Sequence, residues 1–309
     1  MFLRVVLLAA QLHKFFGSGL RNRANDYERF PRKNEFIPPM EITAERVWAD
    51  FRAVRETIPL VLSLTNSVVQ EFTANALLAL GASPIMSDAL EEITELVDIA
   101  NALNLNIGTP TPRSAEAMAL AAQAAKARRI LIVLDPVAVG ATKLRRSLAD
   151  RLLEIAPSSV IRGNQAEIAV LAGLPALARG VDAAESSEKA PVAVRQLAKR
   201  LGTVAVATGP IDYLSDGKTV IAVDNGHPMM ARITGSGCVA SAVIAAFLPV
   251  NPNPLAAAIS AIIVTDIVEE LAAEHSRSEG PGSFRIRFID TFDRLEPEHL
   301  EARMRVARV

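Results

Sequence analysis

"ILIVLDPVAVGAT", residues 130–142, decides the fold. Its apolar run from Ile130 to Leu134 has no polar face, as a strand buried on both sides of a parallel sheet requires. On either side, apolar residues recur at helical spacing. The Ala-rich stretch over 114–129 has Ser114 as its expected cap, and "RRSLADRLLEIAP" covers 145–157. Toward the N-terminus the alternation continues, with helices expected over 42–57, 66–81 and 89–104. The strands between and after them are expected over 60–65, 83–87 and 105–110. Toward the C-terminus, a strand over 159–164 precedes helices over 165–174 and 190–202 and a strand over 203–210. A hairpin turning at Asp216 and Gly217 follows, then two helices over 238–248 and 254–273. This pattern gives one doubly wound α/β domain, in which ligands bind beyond the C-terminal ends of the parallel strands.

The bulk numbers agree with that class. The chain has 309 residues, enough for a sizeable core, and half are hydrophobic while only 5% are aromatic. Aliphatic strands packed by helices need this composition. Formal net charge is −1, so no clustered positive surface for nucleic acid is expected. The single cysteine, Cys238, allows no internal disulfide and fits a reducing, cytoplasmic compartment.

Several strand ends carry chemistry. In "TGSGC", residues 234–238, Gly235 and Gly237 leave backbone N–H groups open to a ligand. With Ser236, Cys238 and the helix that follows, they form an expected anion hole suited to phosphate. The same two glycines also suit an ordinary tight turn. Cys238 at a helix N-terminus is expected to have a lowered thiol pKa, although a cysteine in such a place also serves as a small hydrophobe. No Gly-Lys-Ser/Thr follows, so this is not a Walker A loop. Asp135 ends the central strand, and "RGNQAEI" (162–168) supplies Arg162, Asn164 and Glu167. Asp135 and Glu167 suit Mg²⁺, directly or through water, with Arg162 beside a phosphate; a plain Arg–carboxylate pair is the alternative. Asn66 is otherwise an N-cap candidate, Met86 a core residue, and His227 either structural or a site residue.

Read together, these stretches resemble a known family. "TNSVVQEFTANALLALGASPIMS" (65–87), "NIGT" (106–109), "LDPVAVGAT" (134–142), "RGNQAEI", "VAVATGPIDYLSDG" (204–217) and "TGSGC" occur in the order found in hydroxyethylthiazole kinases of the ribokinase-like superfamily. The resemblance runs from about Met40 to "GPGSFRIRFID" (280–290). It implies a ribokinase-like three-layer α/β sandwich with a central, mostly parallel sheet flanked by helices. It also implies phosphoryl transfer from ATP, with Mg²⁺, to the hydroxyl of 4-methyl-5-(2-hydroxyethyl)thiazole. By motif, Asn66, Met86 and Gly235 would bind the thiazole, and Arg162 and Thr208 would bind ATP. Asp135 and Glu167 would organise the metal, and Cys238 would stand where related kinases carry an Asp base. Homotrimers with interface active sites are implied as well. The turn reads Gly-Ser-Gly, whereas Ala or Thr commonly stands in place of Ser236. The nearest competitors are a hydroxymethylpyrimidine kinase and an ADP-dependent nicotinamide nucleotide hydrate dehydratase, the latter needing an Asp where this chain has Cys238.

Residues 1–39 lie outside the resemblance. Their apolar run from Val5 to Leu12 is too short to span a bilayer, which needs about 20 residues, and no clean cleavage site follows it. The charged segment after it lacks periodicity. No membrane association is expected, and translation is expected to begin at Met40, leaving a kinase domain over 40–309. Intact mass of the natively expressed protein tests this: a product starting at Met40 is expected, and one retaining earlier residues contradicts it.

Overall fold

The computed structural model describes residues 41–174 and 183–309, with side chains except over 183–188. The expected extension over 1–39 lies outside the described residues. Thr43 caps α1 (Ala44–Thr57), which leads into β1 (Leu60–Leu64), α2 (Gln70–Leu80) and β2 (Ser83–Met86). Then come α3 (Ile93–Ile99), β3 (Ala102–Asn106), α4 (Pro112–Arg128) and β4 (Leu131–Asp135). α5 (Lys143–Ile155), β5 (Val160–Asn164), α6 (Gln165–Ala172), α7 (Ala183–Leu201) and β6 (Val204–Thr208) complete the alternation. The hairpin is β7 (Asp212–Ser215) and β8 (Val220–Val223). A 3₁₀ turn (Pro228–Arg232) then leads to α8 (Ser236–Phe247), α9 (Pro254–His275), α10 (Pro281–Asp293), α11 (Pro297–Arg303) and β9 (Val306–Arg308).

The strands form one nine-stranded sheet in the order β2-β1-β3-β4-β5-β6-β7-β8-β9. Pairings from β2 through β6 are parallel, and those from β6 through β9 are antiparallel. Alternation along each strand sorts the residues into two faces. Leu62, Leu103, Leu105, Ile132, Leu134 and Ile161 belong to a continuous core with α3 through α7. The opposite face meets α8, which packs across β1, β3, β4 and β5. Every residue of α8 from Val239 to Phe247 is buried, as in a helix that is apolar all round, and its alanines let it lie close to the sheet. Asn106, Asp135 and Thr208 end their strands on this second face, and Arg162, in the middle of β5, shares its parity. The polar groups of four strands are thereby gathered at the N-terminus of α8.

Three local expectations need correction. The helix expected over 89–104 stops at Ile99, and residues 102–106 are β3. Register with both β1 and β4 overrides the apolar spacing, and Asn101 accepts the Leu60 N–H at 2.8 Å where the helix ends. Ser114 does not open α4: Thr111 does, with Ser114 completing a capping box and Pro112 in the first turn. Asn66 does not cap α2, which begins at Gln70 after an uncapped Val69.

No element is expected from the sequence over 281–308, yet α10 and α11 form there and β9 extends the sheet by pairing with β8. The periodicity was present in Phe284, Phe288 and Phe292, spaced four apart and fully buried. Phe288 meets Phe292 edge-on at 5.0 Å and Phe72 of α2 at 5.9 Å between ring centroids. Phe288→Ala is expected to cost about 3–5 kcal/mol in urea unfolding; a loss below about 1 kcal/mol would contradict this packing.

Candidate active site

The site begins with an uncapped helix. Gly235 is the N-cap of α8, its φ is +89°, and it gives no side-chain cap. A Cβ there would collide with Val69, so glycine is required by both backbone angle and space. The first intrahelical bond is Val239 N–H to Gly235 O, at 3.0 Å. The N–H groups of Ser236, Gly237 and Cys238 therefore have no intrahelical acceptor and sit at the positive end of the helix dipole. Gly237 lies against the Arg162 guanidinium, where a Cβ would overlap Nη1. Ser236 Oγ donates to Met230 O at 3.3 Å, which ties the turn to the preceding 3₁₀ segment.

A chain of side chains runs behind this turn. Asn66 Nδ2 donates to Cys238 Sγ at 3.3 Å and to Asn106 Oδ1 at 3.0 Å. Asn106 Nδ2 donates to Asp135 Oδ2 at 2.6 Å, and Ser241 Oγ, one turn into α8, donates to the same oxygen at 2.9 Å. Asp135 is 1% exposed, and burial pushes its pKa up to about 7 against the pull of Arg162. Burial, and then the Asp135 carboxylate, push the Cys238 thiol up to about 11. The direction is opposite to the lowered thiol pKa expected from the sequence: desolvation and the neighbouring Asp135 carboxylate raise it, against the pull of the Asn106 and Asn66 amides and Arg162.

The loops around Asp135 are pinned from outside. Arg145 of α5 donates from Nη1 to Ile107 O at 2.8 Å and to Val137 O at 2.9 Å, and from Nη2 to Gly108 O. Glu167 accepts the N–H of Ala138 at 2.7 Å through Oε1 and that of Asn164 at 2.7 Å through Oε2. Ala138 holds a left-handed φ of 54°, an unusual conformation for alanine that this contact stabilises. Arg162 Nη2 donates to Thr208 Oγ1, while its buried Nε has no partner.

Beside them lies a cavity of about 790 Å³, within the range of small-molecule sites. Asp135, Arg162, Glu167, Thr208 and the 235–238 turn all line it. Asn66 reaches the site through Cys238. Met86 does not line this cavity; it stands half-buried at the C-terminal end of β2, beside Ser63 of β1, on an edge strand. His227 lines the cavity and also caps the 3₁₀ turn, accepting the Met229 N–H through Nδ1 at 3.1 Å.

Sequence reasoning missed Ser241, Asp212, Asp266 and Glu269, and gave Asn106 no role beyond its strand end. Asp212 and Asp266 are each 5% exposed. Burial raises Asp212 to about 7, and burial followed by the nearby Asp212 and Glu269 carboxylates holds Asp266 well above the usual carboxylate range. In the sequence, Asp266 is the first charged residue in the long apolar run from Pro254, with Glu269 one turn on, and that was the available signal.

Among the described residues no helix is long and apolar enough to cross a membrane. The model of the hydroxyethylthiazole kinase family matches residues 51–298. The hydroxyethylthiazole kinase of Nitratidesulfovibrio vulgaris (strain DSM 19637 / Miyazaki F) is 44% identical over 264 residues, covering 85% of this chain and 98% of that one. Among solved structures, the hydroxyethylthiazole kinase protein from Pyrococcus horikoshii OT3 matches with a TM-score of 0.79 at 37% identity, covering 86% of this chain and 99% of that one. A ribokinase-like superfamily protein from Enterococcus faecalis, 12% identical with a TM-score of 0.56, shares the fold and covers 84% of this chain and 91% of its own. The sheet is therefore that of a ribokinase-like α/β sandwich, and the chain belongs to the hydroxyethylthiazole kinase family.

Proposed function

We propose that the protein, through a domain over 40–309, transfers the terminal phosphoryl group of ATP to the hydroxyl of 4-methyl-5-(2-hydroxyethyl)thiazole, a step of thiamine salvage. One observation carries this reading: three free helix N–H groups, a buried Arg162 with an unpaired Nε, and Asp135 converge on one cavity in a chain of this family. Such a set suits the charge that spreads over the oxygens of a phosphoryl group in transfer.

In this reading the alcohol oxygen attacks the terminal phosphorus, the bond to the ADP oxygen breaks, and the alcohol's proton passes to an oxygen of the transferred phosphoryl group as the new ester forms. The transition state is loose, so little base strength is demanded early. Cys238 carries its proton at neutral pH, so it orients the hydroxyl more than it abstracts from it. The N–H groups of residues 236–238 hold the phosphoryl oxygens, and Arg162 with Thr208 holds the nucleotide phosphates.

The residues fit Mg²⁺. Both hydrogen bonds to Asp135 land on Oδ2, which leaves Oδ1 for a hard cation. Both oxygens of Glu167 hold backbone N–H groups, so it would act through water. Among the described residues no three metal-binding side chains cluster, in keeping with an ion that relies on one or two carboxylates, waters and substrate phosphates. Mg²⁺, when bound, supplies charge neutralisation for the phosphates.

Asn66, Met86 and Gly235 would receive the thiazole ring. Met86 on an open edge strand, away from the main cavity, supports a pocket completed by a neighbouring subunit, and a homotrimer is the proposed assembly. The single cysteine suits a cytoplasmic location.

With the thiol protonated, Cys238→Ser is expected to lower kcat by no more than about 10²-fold, the low end of general-base effects. Cys238→Asp should retain or raise it. Gly237→Val should cost more than Cys238→Ser, since it displaces Arg162 and closes the anion hole. An ATP-coupled assay with the thiazole alcohol, the pyrimidine alcohol and no acceptor reads all of these. Complete loss with Asp, or a Gly237→Val enzyme as active as Cys238→Ser, would contradict the assignments, and no acceptor-dependent ADP release would defeat the kinase reading. Light scattering is expected to give the trimer mass; a monomer at working concentration would contradict the shared pocket.

A further inference from the structure

The cavity holds a second set of polar groups that phosphoryl transfer does not use. Asp212, Asp266 and Glu269 line it together. Asp212 accepts the Gly209 N–H at 2.8 Å and Glu269 the His227 N–H at 3.2 Å. Asp266 Oδ2 accepts nothing, although the residue is 5% exposed. Arg162 Nε, in a residue lining the same cavity, is also buried without a partner. One atom is an acceptor and the other a donor. Unpaired buried polar atoms are rare and unfavourable, so the cavity calls for an occupant that accepts from Arg162 and donates to Asp266.

A bare metal ion offers no acceptor, and among the described residues no three ligating side chains are placed to hold one. A nucleotide offers both: its phosphate oxygens accept, and its sugar hydroxyls donate. The sugar is the part of a nucleotide next to the phosphates. Arg162 lies against Gly237 of the phosphate-binding turn, and Asp212, Asp266 and Glu269 line the same cavity as both. The base would lie farther along.

We propose that Asp266, with Glu269 beside it, recognises the sugar hydroxyls of the nucleotide and so selects ribonucleotides over their deoxy counterparts. This rests on the kinase reading for the phosphate end of the ligand. Burial keeps both carboxyls well above the usual range, so a neutral carboxyl can accept from a hydroxyl without repelling the neighbouring phosphates.

The test is calorimetric binding of ATP and 2′,3′-dideoxy-ATP to the full chain, with ADP release from the thiazole alcohol measured in parallel. The wild type is expected to prefer ATP roughly tenfold or more. Asp266→Ala should bring that ratio near one, chiefly by weakening ATP, while Asp266→Asn, which keeps the shape and an acceptor, should retain part of it. Equal affinities in the wild type, or an unchanged ratio in both variants at unchanged Tm, would overturn the proposal. Discrimination in binding without phosphorylation of the alcohol would leave the sugar site standing and defeat the kinase reading. Turnover with equal use of both nucleotides would do the reverse.

Discussion

The hydrogen bond from Ser241 to Asp135 is the constraint on which the site depends. It joins the first turns of α8 to the end of β4, and β4 lies in the middle of the parallel part of the sheet. A buried carboxylate is costly unless hydrogen-bonded, so Asp135 holds its donors and they hold it. Through Asn106 the same carboxylate is linked to Asn66, and through Asn66 to Cys238. The anion-binding turn, the thiol and the acidic group are thus placed relative to one another by a single polar chain, supported beneath by close-packed aliphatic strands.

Charge is balanced narrowly around this chain. Arg162 is the cation that acts on Asp135, Asp212, Asp266 and Cys238 together. Its guanidinium fits against Gly237 only because that residue has no side chain. Bringing a polyphosphate into such a place depends on the carboxyl groups being protonated, hydrogen-bonded or bridged to a cation. The raised pKa values of Asp135 and Asp212, both about 7, follow from the same burial. Burial sharpens electrostatics at the cost of making each charge conditional on its partners.

Much of the fold was legible because it obeys local rules. The apolar run into Asp135, the hairpin turning at Asp216 and Gly217, and Gly235 at the start of α8 each dictate a backbone state that the surroundings do not change. Where the reading failed, longer-range forces decided. Residues 102–104 continue a helical pattern but join a sheet between β1 and β4. Asn66 has the chemistry of a cap but spends its amide on Asn106 and Cys238. The thiol pKa goes up because Asp135, distant in sequence, is adjacent in space. Position along strands could place Asp135, Arg162 and Thr208 at the site; it could not show which helix brings Asp266 and Glu269 to the same cavity.

The central claim is that the N–H groups of the 235–238 turn take up the phosphoryl group in transfer. A crystal structure with a non-hydrolysable ATP analogue and the thiazole alcohol tests it most directly. The terminal phosphate is expected within hydrogen-bonding distance of the Gly237 and Cys238 amides, about 2.7–3.2 Å, with the alcohol oxygen beside Sγ. A terminal phosphate bound elsewhere in the cavity, with those amides facing only water, would contradict it.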